Sequence, residues 1–363
     1  MKLSVLSIAY PLAPVGPDAA GGSEQILTQL DRTLVSRGHC SVVIACERSR
    51  VEGRLIAAPL PTGTLDDSVR AAAQERYRDL IRFALRRWDF DLIHIHSLDF
   101  HAYLPPDGPP VLVTLHLPPD WYPPEAFHPA RANTWLHCVS ASQSRNCPAS
   151  PALLPPIENG VPLQNFESHV SKRNFALALG RICPEKGFHL ALDAAAEAGI
   201  PLLVAGEIFR YRAHEEYYER EIAPRCSNAA RPAPARFIGP VGLMRKRRLL
   251  AAARCLLIPS LVSETSSLVA MEALASGTPV IAFPSGALPD IVEHGRTGFL
   301  VDGPHEMACA MRHIDEIKPS ACRAAARERF SAARMIGEYL SLYERLARYS
   351  TNQMAGVSSS RAS

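Results

Sequence analysis

Two carboxylates and two cations mark where this chain could do chemistry. Glu264 and Glu272 are separated by seven residues. The helical pattern between them opens near Ser266-Ser267-Leu268, so Glu264 precedes a helix and Glu272 lies in its second turn. The first N–H groups of a helix have no partner within it, so the amides of Ser267, Leu268 and Val269 would favour a bound phosphate. A carboxylate on the next turn can accept both hydrogens of a diol. The plainer reading is an ordinary helix with Glu264 as an acidic residue suited to its positive end. Spacing alone favours that plainer reading.

A second window shifts the balance. Leu177-Ala178-Leu179 reads as a strand, Gly180-Arg181 follows it, and Lys186 is expected to open the next helix. Two cations at the carboxyl end of a sheet suit a diphosphate, and the arginine fork can hold two oxygens at once. No Ser or Thr follows Lys186-Gly187, so this is not a Walker-type loop. The alternative is a solvated pair of surface charges.

Other polar groups carry less. Asp89-Phe90-Asp91 has metal-binding spacing but precedes its strand, at the amino end of the sheet, and reads as the ordinary start of a strand. His94 and His96 share a strand face. With His101 and His116 they have ligand chemistry, but polar residues at a strand end are the simpler reading. The run Arg245-Lys246-Arg247-Arg248 reads as a solvated face, with peripheral attraction to anionic lipid the lesser alternative. Tyr211, Tyr217 and Tyr218 read first as helix packing and second as part of a ligand site.

These groups need a scaffold, and the chain alternates short β-branched runs with longer helical patterns. Strands are predicted over 3–9, 41–45, 92–95, 111–115 and 136–139, then 175–179, 202–205, 236–238, 256–258, 280–282 and 298–301. Helices are predicted over 23–36, 68–87 and 142–146, then 186–198, 213–222, 243–253, 267–276 and 287–293, with a long amphipathic one over 330–349. Alternating βαβ units imply an α/β fold with parallel sheets. Two Rossmann-like doubly wound domains are expected to face each other across a cleft. The first covers 1–168 and the second covers 169–329. The helix over 330–350 would cross back to the first domain, and 351–363 would be a disordered tail.

Composition removes several function classes. Of 363 residues, 39 are Lys or Arg and 36 are Asp or Glu, so the net charge of +3 gives no support to nucleic-acid binding. Apolar residues make up 47% and charged ones 21%, as in ordinary globular proteins. The nine cysteines are odd in number and show no C-x-x-C, which suggests reduced thiols in a cytoplasmic protein. The start reads as a first strand rather than a signal peptide, and no apolar stretch is long enough to span a membrane.

The windows together carry a family resemblance. Gly21-Gly22-Ser23-Glu24, Asp91 to Ser97, Thr114-Leu115-His116 and Asn159-Gly160-Val161 stand in order. They are followed by Gly180-Arg181 to Lys186-Gly187, Phe237-Ile238-Gly239, and Ser263-Glu264 through Glu272 to Val280. In this arrangement the chain resembles family 4 of the retaining glycosyltransferases, which have the GT-B fold. The resemblance implies that Arg181 and Lys186 hold the donor's diphosphate, with Gly180 and Gly239 in the same loops. Glu272 would bind the ribose and Glu264 the transferred sugar. The amides of Ser267, Leu268 and Val269 would meet the distal phosphate, and His116 would sit beside the sugar. Gly21 and Gly22 would let the first loop approach phosphate or acceptor. One departure stands out, since the family usually has Phe-Gly where this chain has Ser266-Ser267. A Cβ there would crowd the phosphate, or the hydroxyl would add a donor.

The implied substrates are a nucleotide diphosphate sugar and a hydroxyl acceptor, with UDP-hexose preferred to GDP-mannose and a small molecule or glycan preferred as acceptor. Short bacterial members act on antibiotics, pterins and lipopolysaccharide cores, and the sequence does not choose among them. The resemblance implies retention by front-side attack, with no metal and no other cofactor. A monomer or weak homodimer is expected, in the cytoplasm or at the inner membrane face. Two alternatives stay open: an epimerase of UDP-sugars, detectable as isomerisation without acceptor, and a catalytically silent binding module, which would release no nucleotide. On the reading adopted here, Arg181→Ala and Lys186→Ala each lower kcat/KM for the donor at least about 100-fold, since losing one charged donor to a developing anion costs about 2.7–4 kcal/mol. Initial rates over a donor series check this, and near wild-type values in both variants would place the diphosphate elsewhere.

Overall fold

The computed structural model describes residues 1–228, 230 and 232–360, with side chains described as far as Arg348. The first six strands are β1 (Ser4–Ile8), β2 (Cys40–Cys46), β3 (Arg54–Ala58), β4 (Leu92–Ile95), β5 (Val111–Leu115) and β6 (Thr134–Cys138). The next six are β7 (Ala176–Leu179), β8 (Leu202–Ala205), β9 (Ala235–Phe237), β10 (Cys255–Ile258), β11 (Val280–Ala282) and β12 (Gly298–Leu300). They form two six-stranded sheets, ordered β3-β2-β1-β4-β5-β6 and β12-β11-β10-β7-β8-β9. All pairings are parallel. Counted from its own first strand, each sheet has the doubly wound Rossmann order, which places a topological switch between β1 and β4 and another between β7 and β10. The central strands β4, β5, β10 and β11 are buried along their whole length. Their continuous apolar character follows from coverage on both faces.

The expected strands are present close to their expected bounds. β3 was not expected, nor were the helices Pro304–Arg312 and Pro319–Arg329. β3 is a short edge strand whose start depends on a distant side chain. Asp31, buried in the helix Gly22–Ser36, accepts from Glu52 N at 2.7 Å, from Gly53 N at 3.2 Å and from the Ser41 hydroxyl at 2.7 Å. The expected helix over 213–222 is instead Arg212–Tyr217 followed by a π turn, Tyr218–Ile222. Asp89 and Asp91 serve the start of β1: Asp91 Oδ2 accepts from Ser4 N at 2.8 Å, and the Asp89 carbonyl accepts from the Ser4 hydroxyl at 3.0 Å.

The chain packs as two compact units. One comprises Met1–Thr62, Asp66–Glu158 and the chain from Met335 onward; the other comprises Gly63–Leu65 and Asn159–Arg334. The division at Glu158 comes before the expected 168/169. Val161 explains this, because its N–H donates to the Phe330 carbonyl at 2.9 Å and its carbonyl accepts from Ala332 N at 3.0 Å. Gly160 permits that approach, since a Cβ there would lie 2.5 Å from the Ser331 carbonyl oxygen. The final helix, Ala332–Ser360, sends Tyr339 and Tyr343 fully buried into the first unit. Its backbone continues as helix through 351–360, where disorder was expected from the Ser-rich, polar composition. Residues 361–363 of that expected tail lie outside the described residues. The nine cysteines are unbridged, and most are buried or half-buried. Among the described residues no helix is long and apolar enough to cross a membrane.

Tyr343 meets a row of histidines. Its hydroxyl is 2.6 Å from His94 Nδ1, and His96, His116, Thr114 and His137 continue the row. Burial lowers all four imidazoles, His137 to about 4 and His116 to about 3 from 6.5. Unfolding returns these rings to ordinary values, so between those limits the unfolded chain binds more protons. Their contribution is therefore full above about pH 6.5 and is lost as pH falls toward 4. Urea denaturation at pH 7.5, 6 and 5 should show stability falling with acid, with more than one proton taken up on unfolding near pH 5. A flat profile would contradict neutral buried histidines.

Candidate functional site

The second unit's switch point gathers most of the singled-out residues. Gly180-Arg181 follows β7, Gly206 follows β8 and Gly239 follows β9. Gly206 has φ +157°, and a Cβ there would fall 1.7 Å from the Gly180 carbonyl oxygen. Its N–H donates to the Gly239 carbonyl at 3.0 Å, while Ile182 N donates to the Glu207 carbonyl at 2.9 Å. The three loops thus lie against one another by backbone alone. Arg181 is half-buried and forms no ion pair among the described residues.

Lys186 does not open the helix as expected. It ends a 3-10 turn, Pro184–Lys186, and the helix begins at Phe188 after Gly187 in the left-handed region. Gly187 is needed because a Cβ would sit 2.2 Å from the Pro259 carbonyl oxygen. This close approach joins the β7 and β10 loops, and Leu261 N donates to the Glu185 carbonyl at 2.8 Å. The result is an ion pair between Lys186 Nζ and Glu264 Oε1 at 2.5 Å, with the Ser260 hydroxyl donating to the same oxygen. The Glu264 carbonyl accepts from Ala287 N at 2.8 Å, which fixes the loop carrying the carboxylate.

The helix Leu268–Ala275 starts one residue later than expected. Ser267 is its N-cap, and the hydroxyl accepts from Ala270 N at 3.4 Å. The hydroxyl thus caps its own helix as an acceptor, and its O–H remains a donor. The amides of Leu268 and Val269 belong to the first turn, where helices leave N–H groups without internal partners. Ser266 Oγ, in the residue before the N-cap, is buried and has no hydrogen-bond partner among the described residues. Glu272 is on the buried face and pairs with Lys246 Nζ at 2.6 Å, the side chains being 4% and 13% exposed. Burial raises the Glu272 carboxyl, and the Lys246 ammonium opposes that shift.

Lys246 corrects the reading of the basic run as wholly solvated. It stands three residues after Leu243 and four before the buried Leu250, so it shares their helical face. That spacing was the available signal. Arg245 and Arg248 are exposed, as a solvated face requires. Among the tyrosines, Tyr217 accepts from His189 N at 3.1 Å and Tyr218 packs on Phe237, which supports the helix-packing reading.

Gly21, Gly22 and His116 belong to the first unit. Gly21 caps the helix Gly22–Ser36, and Glu24 folds back beneath it; a Cβ at Gly21 would fall 1.9 Å from Glu24 Oε2. His116 follows β5 and reaches His96. His101 is exposed and packs edge-on against Phe100. Among the described residues, one group has ligand atoms close enough for a metal: Cys183, Glu185 and His214, all within 4.8 Å of one another. Cys183 and Glu185 lie between Arg181 and Lys186 in the same loop. Burial pushes the Cys183 thiol up to about 11, which keeps it protonated at neutral pH.

Comparison with known proteins follows the same division. Residues 163–332 match the family description "Glycosyl transferases group 1", and residues 20–148 match "Glycosyltransferase Family 4". A D-inositol 3-phosphate glycosyltransferase of Nocardioides sp. is 38% identical over 115 residues, 31% of this chain and 24% of that protein. One of Mycolicibacterium smegmatis is 33% identical over 174 residues, 46% of this chain and 39% of that protein. The chain thus spans well under half the length of these curated relatives. Among solved structures, AviGT4, a glycosyltransferase involved in Avilamycin A biosynthesis, gives a TM-score of 0.68 at 23% identity over 95% of this chain and 98% of its own. Sucrose-phosphate synthase of Thermosynechococcus elongatus gives 0.75 at 19%, over 94% and 99%. HepE of Anabaena, in complex with UDP-glucose, gives 0.69 at 18%, over 93% and 99%.

The Lys246–Glu272 pair generates a stability prediction. Lys246→Met keeps the apolar stem and leaves Glu272 buried without its cation, a loss of about 3–5 kcal/mol. Adding Glu272→Gln should recover much of it, because the uncompensated charge is then gone. Urea melts of the single and double variants measure this. A single variant as stable as the wild type would mean that the pair is not formed in solution.

Proposed function

From its membership of glycosyltransferase family 4, on the GT-B fold of two Rossmann-like domains, we propose that the chain transfers a hexose, with retention, from a nucleoside diphosphate sugar to an acceptor hydroxyl. The observation that carries this is the pair of buried carboxylates at one switch point, each held by a lysine, beside a helix start and an arginine with no acid partner among the described residues. A donor presents matching groups. Its diphosphate suits Arg181, Lys186 and the amides of Leu268 and Val269. The buried Ser266 hydroxyl gains a partner when a phosphate oxygen reaches it. The ribose diol suits Glu272, and the hydroxyls of the transferred sugar suit Glu264.

Chemistry then follows from charge. Breaking the glycosyl–phosphate bond leaves negative charge on the diphosphate and positive character on the sugar's C1. Fixed cations and amides stabilise the leaving group. In front-side attack the leaving phosphate oxygen takes the acceptor's proton, so no protein base is required. UDP-hexose is preferred to GDP-mannose, and a small polyhydroxylated acceptor accords with the relatives that are inositol phosphate glycosyltransferases. The first unit, with Gly21, Gly22 and His116, serves the acceptor and sugar side. No metal is assigned to the reaction.

Release of nucleoside diphosphate from a panel of donor sugars tests this, run in excess EDTA with and without polyol acceptors. Activity should survive chelation. Loss with EDTA and rescue by a divalent ion would give the Cys183, Glu185 and His214 group a role instead. Within the same assay, the two carboxylates should separate. Glu272→Ala weakens both donor and free nucleoside diphosphate, at about 1–3 kcal/mol for a diol without its acceptor. Glu264→Ala leaves calorimetric binding of the diphosphate nearly intact but depresses turnover. The inverse pattern would exchange their roles.

A further inference from the structure

Two thiols of the first unit already touch. Cys138 ends β6 and is buried, while Cys147 follows the helix Ala141–Arg145 and is half-buried. Their sulfurs lie 3.3 Å apart, against about 2.05 Å in a disulfide. Backbone holds both in place. The Cys138 carbonyl accepts from Ile157 N at 3.1 Å, and Cys147 N donates to the Ser144 carbonyl at 3.2 Å. The segment between them is fixed in turn. Ser140 caps its helix by accepting from Gln143 N at 3.0 Å, and the Gln143 side chain accepts from Val139 N at 2.9 Å. The amide group of that side chain donates to the Leu115 and Leu117 carbonyls at 2.9 and 2.8 Å.

The two sulfurs are not equivalent. The Cys138 S–H donates to Cys147 and lowers the Cys147 thiol, whereas that same bond and burial raise Cys138. The thiolate is the nucleophile of cysteine chemistry. The half-buried Cys147 therefore attacks, and the buried Cys138 resolves. A lowered, accessible thiol poised beside a second one is the arrangement that peroxides oxidise reversibly. Burial pushes Cys46 and Cys183 up to about 11, and Cys255 and Cys322 up to about 12, which keeps those thiols protonated at neutral pH.

We propose that Cys147 and Cys138 are a modification site for hydroperoxides, closing to a reversible disulfide that restrains the loop after β5. The Cys147 thiolate attacks a peroxide oxygen. An S–O bond forms, the O–O bond breaks, and the released hydroxide or alkoxide takes up the proton that the Cys147 thiol had lost. The Cys138 thiol then attacks the sulfenic sulfur. The S–S bond forms, the S–O bond breaks, and the departing hydroxide leaves as water with the Cys138 proton. Each thiol gives up one electron, and the peroxide takes both. A dithiol reverses the link. Gln143 lies between the joined residues and holds the carbonyls on either side of His116, so the link limits the opening of that loop. None of this depends on the sugar-transfer reading.

Peptide mapping of the reduced full chain after one equivalent of hydrogen peroxide tests the site, with the remaining thiols alkylated in denaturant. The expected product is a Cys138–Cys147 cross-linked peptide lacking two hydrogens, reopened by dithiothreitol. It should form at least about tenfold faster than any oxidation at Cys183 or Cys255. Cys138→Ser should leave a sulfenic acid on Cys147 that dimedone captures, and Cys147→Ser should leave Cys138 unoxidised. Hydrogen exchange over residues 115–117 should slow in the oxidised chain. A wild-type chain that forms no such cross-link, or that joins other cysteines first, overturns the site, and that arm needs no variant to fold. Dimedone captured by Cys138 in Cys147→Ser, and not by Cys147 in Cys138→Ser, overturns the order of attack. A cross-link that leaves exchange over 115–117 unchanged overturns the restraint on the loop.

Discussion

The candidate site depends on keeping two buried carboxylates charged. A carboxylate removed from water costs several kcal/mol unless a cation and hydrogen bonds replace the solvent. Glu264 meets this need through Lys186 and the Ser260 hydroxyl, and Glu272 through Lys246. Each lysine must then be delivered to its acid by backbone that has no freedom to move away. For Lys186 this is the short turn before Gly187, pressed onto Pro259 so closely that a side chain is excluded. For Lys246 it is the face of a helix whose neighbouring position, Leu250, is fully buried. The ion pairs and the glycines are thus one constraint seen from two sides.

That arrangement leaves the site able to exchange partners. An anionic ligand competes with Glu264 for Lys186, and a hydroxylated ligand offers the freed carboxylate hydrogens in return. Arg181, without an acid of its own among the described residues, is already available to an anion. A donor with a diphosphate at one end and hydroxyls at the other satisfies both halves of the exchange. A lone phosphate or a lone polyol satisfies only one, so under the proposed function the intact donor would be preferred.

The alternation of strands and helices was legible because each buried parallel strand is a continuous apolar run, as at Cys255–Ile258. β3 was not legible, since Arg54–Ala58 is an edge strand held at its start by Asp31 from a distant helix. The unit boundary was misplaced for a similar reason: the pairing of Val161 with Phe330 and Ala332 is far apart in sequence. Glu264, Glu272, Arg181 and Lys186 stood out by type and spacing. Lys246 did not, because a lysine within a basic run hides its helical register. Of the histidine row, His94 and His96 stood out as sharing a strand face and His116 as a further ligand-type residue, whereas His137 did not stand out.

The most direct test of the account is a crystal structure with UDP bound. The account predicts the diphosphate against Arg181, Lys186 and the first turn of the helix Leu268–Ala275, with both ribose hydroxyls on the Glu272 carboxylate. Electron density that placed the nucleotide away from β7 and β10, with the Lys186–Glu264 and Lys246–Glu272 pairs undisturbed and the ribose on other groups, would contradict it.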